Sequence, residues 1–447
     1  MAHKTAPRFI FYYICSFLPI FLFCNLTACS GVSFQDNRHS KYQNAKRNPR
    51  LEPITNKRAE ADSPSMPPGD MAQTAPTLDE NAFLPYYDQL DDAEKHVYNL
   101  VYDAYMTGET TVEFPFTIDE TSRPVWSVMN DHPEIFWMRQ DHQSVVTDFG
   151  NGTYKTTLKL RYEDFGRPIA DIQDEIEDVI HAWFPNIHHY QTPYEIEKYI
   201  HDQIIIHTDY TDHADYRHSI YSVFIDKNAL CEGYARAFQY ILLRSGIDAV
   251  YIPGTNKGEG HSWVQVYING ACYNVDVTDD VLKPDSARGN KSKMPAYFKF
   301  NLTDEEIRQI GYLRDSDADP KEVKLPVCNS KPFSFENTFG NYALQEVYGQ
   351  YLNLPRHHVV GTREQHNEIM LEAGKAANSA QYRVFEIVTS PSLMRELYNL
   401  DSKANAKGYY DALWKTKFNQ YEHHRSAVSY TEITKTSSLA YFDEFYY

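Results

Sequence analysis

Between residues 231 and 278 the chain passes from one helix-period segment into three strand-period segments, and that order constrains the fold more than any other stretch. From Cys231, the residues Tyr234, Ala235, Phe238, Ile241 and Leu242 recur at three- and four-residue spacing. This predicts a helix with one inward face, ending near Gly246. Ile247 to Ile252 is rich in β-branched residues and predicts a short strand, closed by Pro253-Gly254. Three glycines between Gly254 and Gly260 predict a mobile, polar loop. His261 to Ile268 alternates, and Asn269-Gly270 is a strong hairpin turn leading into Ala271 to Thr278. Pairing across that turn sets 263 against 276 and roughly 261 against 278. His261 and Asp276 are then expected as diagonal neighbours on adjacent strands.

Those residues carry a chemistry. A thiol at a helix start meets partial positive charge and free N–H groups, which stabilise negative charge on sulfur. A histidine can take the thiol proton, and an aspartate can fix the imidazole's tautomer and orientation. Cys231, His261 and Asp276 are the candidate catalytic residues. Tyr221 is a candidate donor to an oxyanion, although a half-buried core tyrosine is an equal reading in a chain with 35 tyrosines. Trp263 is a candidate cleft wall, which core packing explains equally well. Glu232 and Asp280 read as a first-turn acid and a loop acid.

The order Cys…His…Asp, with these flanks, resembles the transglutaminase-like superfamily of papain-fold thiol enzymes over roughly Tyr194 to Ile310. Further matching segments are Ile200-His201-Asp202, Ser219-Ile220-Tyr221, Asp276-Val277-Thr278-Asp279-Asp280 and Tyr297 to Glu306. The chain departs from the family pattern in lacking the Trp usual after Asp-Val-Thr, and in Val264 and Cys272, where Asn and Trp are common. These departures bear on the shape of the substrate site more than on its chemistry. The resemblance implies an α+β papain-like core, with the Cys helix packed on an antiparallel sheet bearing His and Asp. It implies an acyl-thioester intermediate, no cofactor, no metal, and a protein or peptide substrate. Hydrolysis of a peptide or isopeptide bond is the favoured expectation. A surface binding module without turnover and a protein-glutamine transglutaminase are the alternatives.

Lys4 and Arg8 precede an apolar run from Phe9 to Phe23. That run is short for a spanning helix, which needs about 20 residues, and reads as a secretory signal. Leu26-Thr27-Ala28-Cys29 matches the bacterial lipobox, so residues 1–28 are expected to be removed and Cys29 lipidated. The protein would then be lipid-anchored at the cell envelope, at the outer membrane where the cell has one. Residues 29–78 are rich in Asn, Ser, Pro, Lys and Arg and read as a disordered tether, with an r.m.s. span of about 40 Å.

Formal charge is −18, and −20 once residues 1–28, with two basic and no acidic residues, are gone. An acidic body argues against nucleic acid and against docking on anionic lipid. Of the six cysteines, Cys231, Cys272 and Cys328 remain in the body, and the last two read equally as a disulfide or as buried thiols.

Residues 79–185 predict an N-terminal α+β domain: a helix from Asp91-Asp92 to Gly108, then strands at Thr110 to Phe116, Val145 to Phe149 and Thr153 to Leu160. In that region Asp131-His132-Pro133-Glu134-Ile135-Phe136-Trp137 resembles a segment of bacterial transglutaminase-like proteins, with no chemistry legible in it. Residues 186–330 hold the catalytic domain. Residues 331–447 predict a small α+β accessory domain, in which His357-His358 and His423-His424 suit loops better than a chelate. The acidic run from Asp315 to Pro320 lacks the Gly and Glu of a calcium loop and reads as a surface loop. The oligomeric state is not legible.

Overall fold

The computed structural model describes residues 8–12, 83–211, 213, 215–282, 293–319, 322–330, 357–376, 381–398, 424–432 and 438–446. Cys29, the tether and most of the leader lie outside these residues. The chain divides into two compact units, Met1–Cys272 with Arg308–Cys328, and Tyr273–Ile307 with Asn329–Tyr447. No helix among the described residues is long and apolar enough to cross a membrane.

In the first unit the helix α1 spans Asp92–Thr107. Asp91 accepts from the Glu94 N–H while Glu94 accepts from the Asp91 N–H, a reciprocal cap. Gly108 closes it in the left-handed conformation that favours glycine. Its buried face, including Val97, Tyr98, Val101 and Tyr105, packs on α2, Ser122–Asp131. A four-stranded antiparallel sheet follows in the order β1-β3-β4-β2, from Arg8–Tyr12, Gln143–Asp148, Tyr154–Lys159 and Thr111–Phe114. Gly150 and Gly152 take positive φ in the β3–β4 turn. Strands β2, β3 and β4 lie within a residue or two of those expected, whereas β1 falls in the segment read from sequence as a leader and pairs along β3.

Two helices, α3 (Ile169–Trp183) and α4 (Pro193–His207), lead to the central layer. There α5, Cys231–Arg244, is buried from Gly233 to its end and packs on β5, Asp248–Asn256, and β6, Glu259–Ile268. The sheet order is β8-β5-β6-β7, with β7 at Ala271–Val275 and β8 at Tyr312–Arg314. Asn269 and Gly270 both take positive φ, 52° and 78°, which joins β6 to β7 by the expected two-residue turn.

The stretch Gly254 to Gly260 corrects an expectation. It is strand, not mobile loop: Gly254 pairs with His261, Thr255 with Gly260 and Asn256 with Glu259 around a tight turn at Lys257-Gly258. The reason lies nearly sixty residues on, where β8 pairs antiparallel with Gly254, Thr255 and Asn256 and holds them in the sheet. Gly254 is required by close approach. A Cβ there would meet the Trp263 ring at 2.7 Å and collide with the Leu313 carbonyl. Cys272 and Cys328 are joined by a disulfide with Cα atoms 4.7 Å apart.

The second unit begins with the end of β7. Asn274 and Leu302 exchange backbone hydrogen bonds of 2.8 Å, and the Asn274 amide also donates to Asp304 at 2.8 Å. The later part is a sheet of His357–Val360, Gln381–Val388, Ser438–Tyr446 and His424–Glu432, in that order, with helices at Arg363–Ala376 and Pro391–Tyr398. His357-His358 starts a strand paired in parallel with Phe385 and Glu386, so the loop expectation is corrected. In the first unit, Asp315–Ala318 forms a short helix rather than a loop, with Asp317 3.4 Å from Arg314.

Candidate active site

Cys231 is the first residue of α5, partly exposed, and the only free cysteine among the described residues. Leu230 before it is extended and offers no side-chain cap, so the first-turn N–H groups are not taken up by one. The segment before the helix is held tightly against it. The Leu230 N–H donates to the Arg217 carbonyl at 3.1 Å. A Cβ on Gly233 would meet that same carbonyl at 2.8 Å and Ser222 Oγ at 2.9 Å, so only glycine fits in this first turn. This packing fixes residues 217–222 beside the thiol's helix.

Glu232, read from sequence as an ordinary first-turn acid, is a buried hub. Its carboxylate accepts from Gln140 Nε2 at 2.8 Å, from His218 Nδ1 at 2.8 Å and from Arg236 Nη2 at 3.0 Å. Burial alone would raise its carboxyl. The His218 hydrogen bond and the Arg236 charge outweigh that and hold it at about 2. Arg236 also donates to the Met129 carbonyl and to Asn130 Oδ1, the latter at 3.2 Å, and its guanidinium stacks 4.2 Å from the Tyr251 ring centre. Gln239 donates to the Asn130 carbonyl at 2.8 Å. The segment from Met129 to Gln140, whose role was not legible, therefore seats the start of α5. Its Asp131 accepts from the Tyr86 and Tyr87 N–H groups at 3.1 and 2.9 Å and from Tyr98 Oη at 3.2 Å.

His261 lies in β6, partly exposed, on the sheet against which α5 packs. Tyr312 of β8 sets its ring 5.5 Å from His261 and 5.2 Å from Trp263, edge to face with both. Trp263 is 1% exposed, its ring lying over Gly254. Tyr221 is flanked by Phe165 at 4.6 Å and Tyr216 at 5.2 Å. Burial raises its hydroxyl, and the charge of Asp226 adds to the shift.

Asp276, in the second unit, follows β7 directly and is fully buried. Its Oδ1 accepts from the Thr278 and Asp279 N–H groups at 3.0 and 3.2 Å, and its own N–H donates to the Lys299 carbonyl at 3.1 Å. Two backbone donors on one oxygen fix the carboxyl plane. Asp280 is likewise buried and accepts from the Lys299 N–H at 2.9 Å, which makes it a structural brace for the turn.

Residues 182–277 match the family model described as the transglutaminase-like superfamily. The match covers the segment that holds all three candidate catalytic residues. The chain thus contains a transglutaminase-like domain, and its fold is the α+β arrangement of a helix on an antiparallel sheet. Similar solved structures include a TGase, at 14% identity and TM-score 0.23, covering 38% of this chain and 50% of that one. A second is the periplasmic domain of TgpA from Pseudomonas aeruginosa, at 14% identity and TM-score 0.19, covering 28% of this chain and 53% of that one. A third is a candidate cysteine protease from Cytophaga hutchinsonii, at 11% identity and TM-score 0.23, covering 50% and 80%. The chain spans about half the length of the first two. No curated protein matches.

Proposed function

We propose that the protein is a thiol hydrolase of peptide or isopeptide bonds. Cys231 attacks the substrate carbonyl, and His261 takes the thiol proton and returns it to the departing amine. Asp276 holds the imidazole in the tautomer this needs. Water then attacks the acyl-thioester, His261 again moves the proton, and a carboxylate and the free thiol are released. The Cys231 N–H, with Tyr221 beside the helix start, is offered to the developing oxyanion. Tyr312, itself packed on Trp263, stands edge to face with His261 and limits its rotation.

The observation that carries this reading is Cys231 itself: a partly exposed free thiol, first in a helix with no side-chain cap, on a domain whose family model matches. A buried structural cysteine would not be left open at that position. Transfer of the acyl group to an amine is the second reading, because the stretch from Gly254 to Gly260 is ordered strand and could shield a thioester from water as a mobile, polar loop would not. A peptide library offered together with a labelled primary amine tests the choice. New carboxylates with little amine incorporation support hydrolysis, and efficient incorporation with negligible hydrolysis supports transfer.

The proposed place of action is the outside of a bacterial cell, with the body tethered through lipid on Cys29. The Cys272–Cys328 disulfide suits an oxidising compartment. Partition of the wild type into detergent, lost in Cys29→Ala, is the expected result. A wild type in the aqueous phase with another N-terminus would refute the anchor.

A further inference from the structure

A cavity of about 500 Å³ opens in the first unit beside the start of α5, within the range of about 300–1,000 Å³ that holds small ligands. Glu232, next in the chain to Cys231, is part of its wall, and Ile135, Phe136 and Met138 supply apolar surface. Another wall is a short antiparallel crossing. Met138 bridges Tyr162, the Arg139 N–H donates to the Arg161 carbonyl at 3.2 Å, and the Glu163 N–H donates to the Trp137 carbonyl at 2.9 Å. Side chains alternate along extended backbone, so Arg161 and Glu163 share a face about 7 Å apart, with Arg139 opposite Arg161.

The charges on this wall do not cancel by contact. Asp141 takes both arginines, Arg139 Nε at 2.8 Å and Arg161 Nη1 at 3.2 Å. One carboxylate against two guanidiniums leaves a positive charge over. Glu163 is half-buried and lines the same cavity. Burial raises its carboxyl and the neighbouring Arg139 charge partly offsets this. Among the described residues no ion pair or hydrogen bond reaches its carboxylate. Glu232, across the cavity, is already matched by Arg236 and His218. What remains is an anion and a surplus cation that attract one another without touching, a residue or two of extended peptide apart, beside an apolar surface.

We infer that this cavity is a subsite for a dipolar peptide end, seating an α-ammonium on Glu163 and a carboxylate one or two residues on at Arg139 and Arg161. The first side chain lies against Phe136. The assignment deepens the thiol-hydrolase reading, since it places a charged chain end beside Cys231 as the specificity element. The dipole has two sources: a free di- or tripeptide, or the N-terminus of a longer chain with an early acidic residue.

Calorimetry on the full-length Cys231→Ala protein tests this without turnover. The ligands are a tripeptide with free ends, its N-acetyl, C-amide and doubly blocked forms, and an amidated ten-residue peptide with a free N-terminus and Asp second. Blocking either end of the tripeptide is expected to weaken binding about tenfold or more, the effect of losing one charge-assisted hydrogen bond. Glu163→Gln should abolish the N-acetyl penalty and Arg161→Gln should reduce the amide penalty. Tight binding of the ten-residue peptide assigns the site to longer chains, and binding of the tripeptide alone assigns it to short free peptides. A doubly blocked peptide that binds as well as the free one, or an N-acetyl penalty that survives Glu163→Gln, overturns the inference. Because the readout is binding, dipolar selectivity in a protein whose wild type has no thiol turnover would sink the hydrolase reading and leave this site standing.

Discussion

The Glu232 carboxylate stands 2.8 Å from His218 Nδ1 and belongs to the residue that follows Cys231. Together with Arg236 and Gln140 it ties the helix start to two segments distant in sequence. The position of the thiol thus depends on a carboxylate that is not proposed to react.

Glu232→Gln should therefore destabilise the fold, and with a recognisable pH signature. The folded carboxyl titrates at about 2 against an ordinary 4.5. A depressed acid stabilises fully above its unfolded value and loses that contribution as pH falls toward the folded one. The difference corresponds to about 3 kcal/mol. Urea denaturation should show wild type more stable than Glu232→Gln at pH 7, with the gap narrowing from pH 4.5 downward. A gap independent of pH would mean the carboxylate is not held as its partners indicate.

Asp131 is the comparable anchor on α2. Burial pushes its carboxyl up to about 8 despite three donors. Asp131→Asn keeps one acceptor but turns an amide NH₂ toward those donors, which should cost about 2–3 kcal/mol above about pH 8, where the carboxyl is ionised, and less below it. Thermal denaturation with an unchanged far-UV spectrum below the transition would be the expected behaviour.

How much of this was legible followed the range of the interactions. The α1 cap, the Gly108 stop and the Asn269-Gly270 turn are settled by residues within four positions of one another, and the sequence pattern revealed them. Glu232 was not legible as a hub, because Gln140 lies 92 residues away and His218 lies 14 residues away across a loop. Gly254 and Gly260 imitated a loop for the same reason. Their strand pairing needs β8, and the need for Gly254 comes from the Trp263 ring. Cys272 and Cys328 are 56 residues apart, and no local pattern distinguishes a bridge from two buried thiols.

Gly254→Ala tests that close approach. The added methyl meets the Trp263 ring and the Leu313 backbone at once, so neither can yield without moving a strand. A loss of several kcal/mol, in the range of about 1–3 kcal/mol for overpacking or above it, should accompany a shift in tryptophan fluorescence. Neutral stability would show that β8 is not seated on β5 as described.

Removing the disulfide by Cys272→Ala should lower stability by about 4 kcal/mol on the loop-entropy account for a 56-residue separation. The same variant should gain one alkylatable thiol at Cys328 under denaturing conditions without reductant. Unchanged stability and an unchanged thiol count would mean that the bridge does not form.

The central claim is that Cys231 is the nucleophile, and intact-mass analysis with an amide-mimic thiol probe tests it most directly. The account predicts one stoichiometric adduct, mapped to Cys231, formed about 100-fold or more slowly in folded His261→Ala, the scale of a lost general base. No adduct on Cys231 in folded wild type, or peptide turnover undiminished in Cys231→Ala, would contradict it.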